Sequence, residues 1–314
     1  MENILELQQV SKTFPKSDFT LDNVSFSLPY GAVLGFVGEN GAGKTTTIGC
    51  ILNTVMRDSG TVRLFGREMH DEDTDMREKI GVVYDGNNFP VYWTAQQLSK
   101  VMRGLYKNWD NALFGEYLKM FRLPAKQKIR HYSRGMTMKL AIAAALSHYP
   151  QLLILDEATG GLDPIMRDDM LDVFLDFVQE EDHSVLLSSH ITSDLEKIAD
   201  YICLIHEGKI MMTASRNDLV YNYAVMRCRE SQFSALDPAD IIAYRKRDFQ
   251  IGVRVSDSRA MQRKYRDSVV DHVSVDEIML LLVKGERDLV FSPLCVQEQV
   301  PEQIPVCIIS CIMC

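Results

Sequence analysis

Residues 38–45 read Gly-Glu-Asn-Gly-Ala-Gly-Lys-Thr, which satisfies G-x-x-x-x-G-K-[ST] at every fixed position. An apolar run, Ala32-Val33-Leu34-Gly35-Phe36-Val37, leads into it, and Thr46-Thr47-Ile48-Gly49-Cys50-Ile51-Leu52 follows. The stretch therefore reads as strand, loop and helix, the setting in which this pattern carries meaning. Gly38, Gly41 and Gly43 free the backbone to wrap closely around a polyphosphate and turn its N–H groups inward. A helix starting near Lys44 aims its positive dipole end at the same place. Lys44 is expected to reach the β- and γ-phosphates, and the Thr45 hydroxyl to ligate Mg²⁺. Asn40 within the loop and Thr46 just after it join the nucleotide-binding candidates. The pattern implies a nucleoside triphosphate site on an α/β fold.

Size and composition allow this. At 314 residues the chain has room for one large domain and a small one. Hydrophobic residues make up 46% and charged residues 25%, the balance of an ordinary soluble protein. The formal net charge of −9 argues against non-specific binding to nucleic acid or an anionic membrane. No stretch approaches the ~18 consecutive apolar residues of a membrane span. The start, Met1-Glu2-Asn3-Ile4-Leu5-Glu6, lacks the basic segment of a signal peptide, so a cytosolic location is expected. Among the seven cysteines, Cys50, Cys203 and Cys228 are scattered, whereas Cys295, Cys307, Cys311 and Cys314 crowd the end. All are expected as free thiols in a reducing compartment.

Patterning along the chain gives the organisation. Asn3 to Val10 and Val24 to Leu28 are short alternating runs, and residues 60–66 form a strand bounded by glycines. Ile80 to Tyr84 reads as a buried strand. From Thr94 to Arg122 the apolar spacing turns helical, and a long helix is expected after Ser133, ending before Pro150. Two strongly apolar strands, Leu152 to Leu155 and Val185 to Leu187, flank a helix from Met166 to Glu180. Such alternation predicts a parallel sheet covered on both faces. Beyond Ser215, strands are expected at 223–229 and 249–255. Short helices are expected at 241–247 and 259–265, and an amphipathic one at 275–284. The division reads as a first domain over 1–214, a small α+β appendix over 215–290 and a cysteine-rich tail over 291–314.

A second motif defines the chemistry. The strand Leu152-Leu153-Ile154-Leu155 delivers Asp156-Glu157 at its C-terminal end. Asp156 is placed to hold Mg²⁺ and Glu157 to act as general base on a water. Tyr132-Ser133-Arg134-Gly135-Met136 opens a helix just ahead of this strand, and Gly160-Gly161-Leu162-Asp163 follows the acids. His190 lies beyond the next strand, and Phe14 sits in a loop before the phosphate motif.

In this order and spacing, the pieces resemble the ATP-binding subunits of ABC transporters over roughly residues 3–214. The resemblance implies a phosphate-loop core with a mixed sheet, an antiparallel β subdomain and a helical insert at about 86–150. It also implies roles. Phe14 would stack on adenine. Ser133 and Gly135 would clamp the γ-phosphate of ATP held by an opposing subunit, Asp163 would link the two sites, and His190 would contact the γ-phosphate. Implied further are the cofactors ATP and Mg²⁺, hydrolysis of ATP, and dimerisation with a second, identical or different, ATP-binding subunit. The remaining partner is a membrane permease, which places the chain on the cytoplasmic face of a membrane, with no nucleic-acid partner. The single phosphate loop and the appendix are most similar to bacterial exporters with a separate permease, including peptide-antibiotic resistance and immunity systems. A soluble family member acting on ribosomes or nucleic acid, or a nucleotide-gated subunit with little turnover, is the alternative.

Two departures from the family pattern matter. The helix-opening motif reads YSRGM where LSGGQ is usual, and Asp85 replaces a glutamine that reaches Mg²⁺ and the permease. Because a carboxylate is a good hard ligand, Asp85 is expected to serve the metal. The tail spacings Cys307-x₃-Cys311-x₂-Cys314 and Cys311-Ile312-Met313-Cys314 match iron–sulfur and prenylation patterns without the context either needs. The basic residues at 245–247 and 259–266 are interleaved with acids and read as a solvated helix face.

Overall fold

The computed structural model describes residues 2–70, 73–86, 88–221, 223–247, 250–256, 258–266 and 268–285. Two strands open the chain, β1 (Asn3–Thr13) and β2 (Thr20–Pro29), paired antiparallel. They alternate buried and exposed residues along much of their length, as strands covered on one face do. After β3 (Val33–Val37) and α1 (Lys44–Ile51), the chain returns to that sheet with β4 (Ser59–Leu64) and the two-residue β5 (Arg67–Glu68). Their order is β2-β1-β4-β5. A single-turn helix, α2 (Thr74–Arg77), leads to β6 (Ile80–Val83).

Next come only helices: α3 (Ala95–Leu105), α4 (Asn111–Met120) and α5 (Arg134–Leu146), with a 3₁₀ turn at Ile129–His131. Each starts on a polar cap. Thr94 and Gln97 close a reciprocal capping box on α3, Asp110 caps α4 and Ser133 caps α5. The chain then lays down β7 (Leu152–Asp156), α6 (Pro164–Phe177), β8 (Ser184–Ser189), α7 (Thr192–Ile198), β9 (Tyr201–His206) and β10 (Lys209–Ser215).

Six strands form the central sheet, in the order β10-β9-β3-β8-β7-β6. All neighbours run parallel except β10 on β9, so the sheet is mixed. Its middle strands explain their own composition. Val33 and Val37 of β3 join the core on the helix side, while Leu34 and Phe36 join the core beneath the antiparallel sheet. Leu153 and Leu155 of β7 divide from Leu152 and Ile154 in the same way. A strand buried on both faces must be apolar at every position, which is why these runs do not alternate. Each such side chain contributes on the order of 1.5–3 kcal/mol by leaving water.

Beyond α8 (Arg216–Tyr221) a third sheet forms from β11 (Tyr223–Cys228), β12 (Ala243–Arg247), β13 (Gln250–Ser256) and β14 (Val269–His272), in the order β12-β13-β11-β14. The short α9 (Glu230–Phe233) and α10 (Ser258–Lys264) lie within this region. The expected helix at 241–247 is instead the edge strand β12, paired register by register with β13. The burial of Ile241 and Ala243 around exposed Ile242 is the period-two signature of a strand. Its basic residue Lys246 pairs with Glu230 at 2.9 Å, and Lys264 on α10 pairs with Asp240 at 2.6 Å. The last helix, α11 (Val275–Lys284), carries Val275, Ile278 and Leu282 back into the helix-side core of the first 215 residues. Among the described residues Cys50, Cys203 and Cys228 are free and buried, and burial pushes the Cys203 thiol up to about 12. No helix of the described residues is long and apolar enough to cross a membrane. The four C-terminal cysteines lie outside the described residues.

Candidate nucleotide-binding site

β3 ends at Val37 and the chain makes the phosphate loop before α1 begins at Lys44. Gly43, the residue before that helix, has φ 115°, a conformation that strains any residue with a Cβ. A Cβ there would also lie 2.9 Å from the Phe19 ring, so this aromatic packs directly on the loop. Lys44 is only 5% exposed, and its Nζ donates to the Gly38 carbonyl at 2.7 Å and the Glu39 carbonyl at 3.1 Å. The ammonium is thus held at the centre of the loop, while Asn40 and Thr45 are exposed and Thr46 half-buried.

The acid pair completes this side of the site. Asp156 ends β7, 4% exposed, and accepts from the Thr45 hydroxyl at 2.8 Å and the Ser188 hydroxyl at 2.6 Å. Both carboxylate oxygens are therefore fixed, one of them by the phosphate loop itself. Glu157 takes φ 53°, a left-handed conformation for a residue with a side chain. Its backbone N–H donates to the Ser188 carbonyl at 3.1 Å, which anchors the turn. This turn sends its carboxylate to two partners. Oε1 stands 3.1 Å from Lys44 Nζ as an ion pair, and Oε2 accepts from His190 Nδ1 at 2.6 Å. Five sequence-predicted residues, Lys44, Thr45, Asp156, Glu157 and His190, are brought together by these contacts.

A different setting surrounds the helix-opening motif. Ser133 is the N-cap of α5, its hydroxyl accepting from Met136 N at 3.2 Å. Asp163 caps α6 in the same way, accepting from Met166 N at 3.0 Å, with Pro164 at the first helical position. Gly135 makes the two helix starts meet, since a Cβ at Gly135 would lie 2.5 Å from Met166 Sδ. Ser133 and Asp163 are both exposed. Behind Asp163, burial pushes the Asp194 carboxyl of α7 up, opposed by the Thr159 hydroxyl and the Arg167 guanidinium 3.7 Å away.

Phe14 follows β1, half-buried, its ring centroid 6.4 Å from that of Phe19 and 5.7 Å from Lys12 Nζ. A cavity of about 640 Å³ beside the phosphate loop is lined by Phe19, Asn40, Gly41 and His206, and Phe14 is not among its lining residues. Asp85 was expected at the metal, but its Oδ1 accepts from Arg134 Nη2 at 2.7 Å. Tyr84, one residue earlier, is the neighbour of Asp156 in this loop. Burial first and the Asp156 charge second push the Tyr84 hydroxyl up. Among the described residues no three His, Cys, Asp or Glu side chains gather into a metal-holding group. Ser188, Phe19 and Arg134 are the residues that sequence reasoning missed. Ser188 lies two residues before His190, but nothing in the local sequence aims its hydroxyl at Asp156.

The sequence and the fold match known proteins. Residues 21–160 match the ABC transporter family model. The chain is 34% identical over 216 residues to the bacitracin transport ATP-binding protein BcrA of Bacillus licheniformis, covering 67% of this chain and 69% of that protein. The chain belongs to the ABC transporter ATP-binding family. Its likeness to the ABC transporter ATP-binding protein YtrB of Bacillus subtilis, 29% identical over 300 residues, spans 90% of this chain and 99% of that one. That span includes the third sheet. A solved structure of an ATP-binding subunit of an ABC transporter superposes with a TM-score of 0.63 at 25% identity, over 69% of this chain and 91% of that chain. The fold is therefore that of an ABC ATPase, and the chain is an ATP-binding ATPase subunit of that family.

Proposed function

We propose that the chain is the ATP-hydrolysing subunit of an exporter, acting on the cytoplasmic face of a membrane with a separately encoded permease. One observation carries the reading: Lys44, Glu157 and His190 form an unbroken line of contacts beside the Thr45–Asp156 pair. Lys44 binds the phosphates, together with the backbone N–H groups of Gly38, Gly41 and Gly43 and the side chains of Asn40 and Thr46. Thr45 and Asp156 are hard oxygen donors 2.8 Å apart, a set that fits Mg²⁺. When bound, that ion neutralises charge building on the phosphates.

Glu157 takes the proton from an attacking water, and His190 holds the carboxylate in place by donating Nδ1–H to it. Phe14 receives the adenine. Ser133, Gly135 and Asp163 serve the nucleotide of a second ATP-binding subunit, which approaches the exposed starts of α5 and α6. The relative BcrA is named for bacitracin transport, which supports a peptide antibiotic or another hydrophobic cargo for this chain too. The third sheet and α11 form a C-terminal unit of the same subunit. Purified protein is expected to hydrolyse ATP only with Mg²⁺, and faster when its permease is present in vesicles. Protein that binds ATP without hydrolysing it under either condition would contradict the proposal.

A further inference from the structure

Two of the positions at which this chain leaves its family's pattern, Asp85 and Arg134, are paired with each other. Arg134 Nη2 donates to Asp85 Oδ1 at 2.7 Å across 49 residues of chain. Arg134 is the first residue of α5, between Ser133 and Gly135, and Asp85 lies two residues beyond the end of β6 at Val83. The same guanidinium lies flat against the turn after the acid pair. A Cβ built on Gly161 would stand 2.8 Å from both Arg134 Cζ and Nη1, so the guanidinium as placed occupies the space a side chain there would take. Gly161 also has φ 71°, a backbone state that glycine adopts at no steric cost. A Cβ on Gly160 would stand 3.9 Å from Arg134 Nη2 and 4.0 Å from His190 Cε1. One side chain therefore touches, or nearly touches, the loop after β6, the outward end of α5, and the turn that joins Glu157 to Asp163.

We propose that Arg134 is a positioning residue. It straps the exposed start of α5 to the Gly160-Gly161 turn, with Asp85 as its anchor. The strap fixes how Ser133 and Gly135 stand relative to Asp163, the arrangement that a second subunit meets. Its effect on turnover rests on the function proposed above, whereas the strap itself does not. Arg suits this duty because its planar fork can stack on a peptide turn and still donate to a carboxylate, which an ammonium cannot do. The pair is about half exposed on both sides, at 56% and 48%, so its strength is modest and screened by salt. Asp85 is thereby committed to a cation within its own chain.

The test is a double-mutant cycle on the full-length protein using Arg134→Ala, Asp85→Ala, both together, and the exchange Asp85→Arg with Arg134→Asp. Each single change is expected to lower kcat for ATP about two- to fivefold, the range of a half-exposed ion pair. KM and the affinity for a fluorescent ATP analogue should hold within about twofold, because neither side chain touches the phosphate loop of its own subunit. The double variant should be no worse than the poorer single variant. Backbone hydrogen exchange over residues 158–163 gives a readout that needs no turnover. It should rise equally in both single variants and no further in the double. Losses that multiply in the double variant, or exchange and kcat unchanged in both single variants, would overturn the strap. An inactive wild type with the exchange pattern intact would instead refute the ATPase reading and leave the strap standing.

Discussion

The two halves of the proposed nucleotide site are built on opposite principles. Around the phosphate loop, Lys44 and Asp156 are 5% and 4% exposed, and their charges are met by partners inside the same chain. At the starts of α5 and α6, Ser133 and Asp163 lie exposed, and their side chains engage only backbone N–H groups of their own helices. The first half is complete within one subunit. The second presents two capped helix ends outward, where backbone N–H groups and positive dipole ends can meet an anion. Buried charges need internal partners to exist at all, whereas an exposed helix end can wait for a ligand carried by another molecule.

Substitutions should separate the halves. Lys44→Ala removes the cation from the phosphates and should weaken ATP affinity on the order of 10³-fold by calorimetry, the loss of two or so charge-assisted hydrogen bonds. Glu157→Gln should leave ATP affinity near wild type and cut turnover by about 10²–10³-fold, since an amide cannot take the proton from water. That result would show that binding and chemistry are separable within the buried half. Ser133→Ala should spare nucleotide affinity in the isolated subunit, cost about 1 kcal/mol of stability through the lost N-cap, and still depress turnover. A Ser133→Ala variant with full turnover would erase the distinction between the halves.

The smallest expected effect concerns the far end of α5. His148 is 1% exposed, its Nε2–H donating to the Ile80 carbonyl at 3.2 Å and its ring stacked 4.1 Å from that of Tyr106. Burial holds its pKa below the ordinary histidine value. An unfolded chain therefore takes up a proton that the folded chain refuses. Stability should fall as pH drops below about 6.5 and level off once the folded-state pKa is passed. Denaturation midpoints across that range should decline less steeply in His148→Gln than in wild type. An unchanged slope would show that His148 does not titrate with unfolding, and that this anchor of α5 is not pH-sensitive.

What the sequence revealed depended on how local the cause was. The phosphate loop, the acid pair and the helix start at Ser133 follow from neighbouring residues, because glycine placement, strand ends and N-caps are set within a few positions. The all-apolar runs of β3 and β7 likewise announced strands buried on both faces. Contacts across long stretches of chain were not legible. Ser188 meets Asp156 from 32 residues away, and Arg134 meets Asp85 from 49. Carboxylate chemistry alone makes Asp85 a metal-ligand candidate, and no spacing rule foresees the guanidinium that stands beside it. At 241–247, three basic residues masked a short period-two pattern, and a strand was read as a helix.

The exposed half is expected to become functional only against the nucleotide of a second subunit. Sedimentation velocity of the Glu157→Gln protein, with and without ATP and Mg²⁺, tests it most directly, because blocked hydrolysis leaves any ATP-bound assembly intact. The account predicts a monomer without nucleotide, a dimer with ATP and Mg²⁺, and a return to monomer when Ser133→Arg is added while ATP remains bound. A monomer in all conditions, with ATP bound at wild-type affinity, would contradict it.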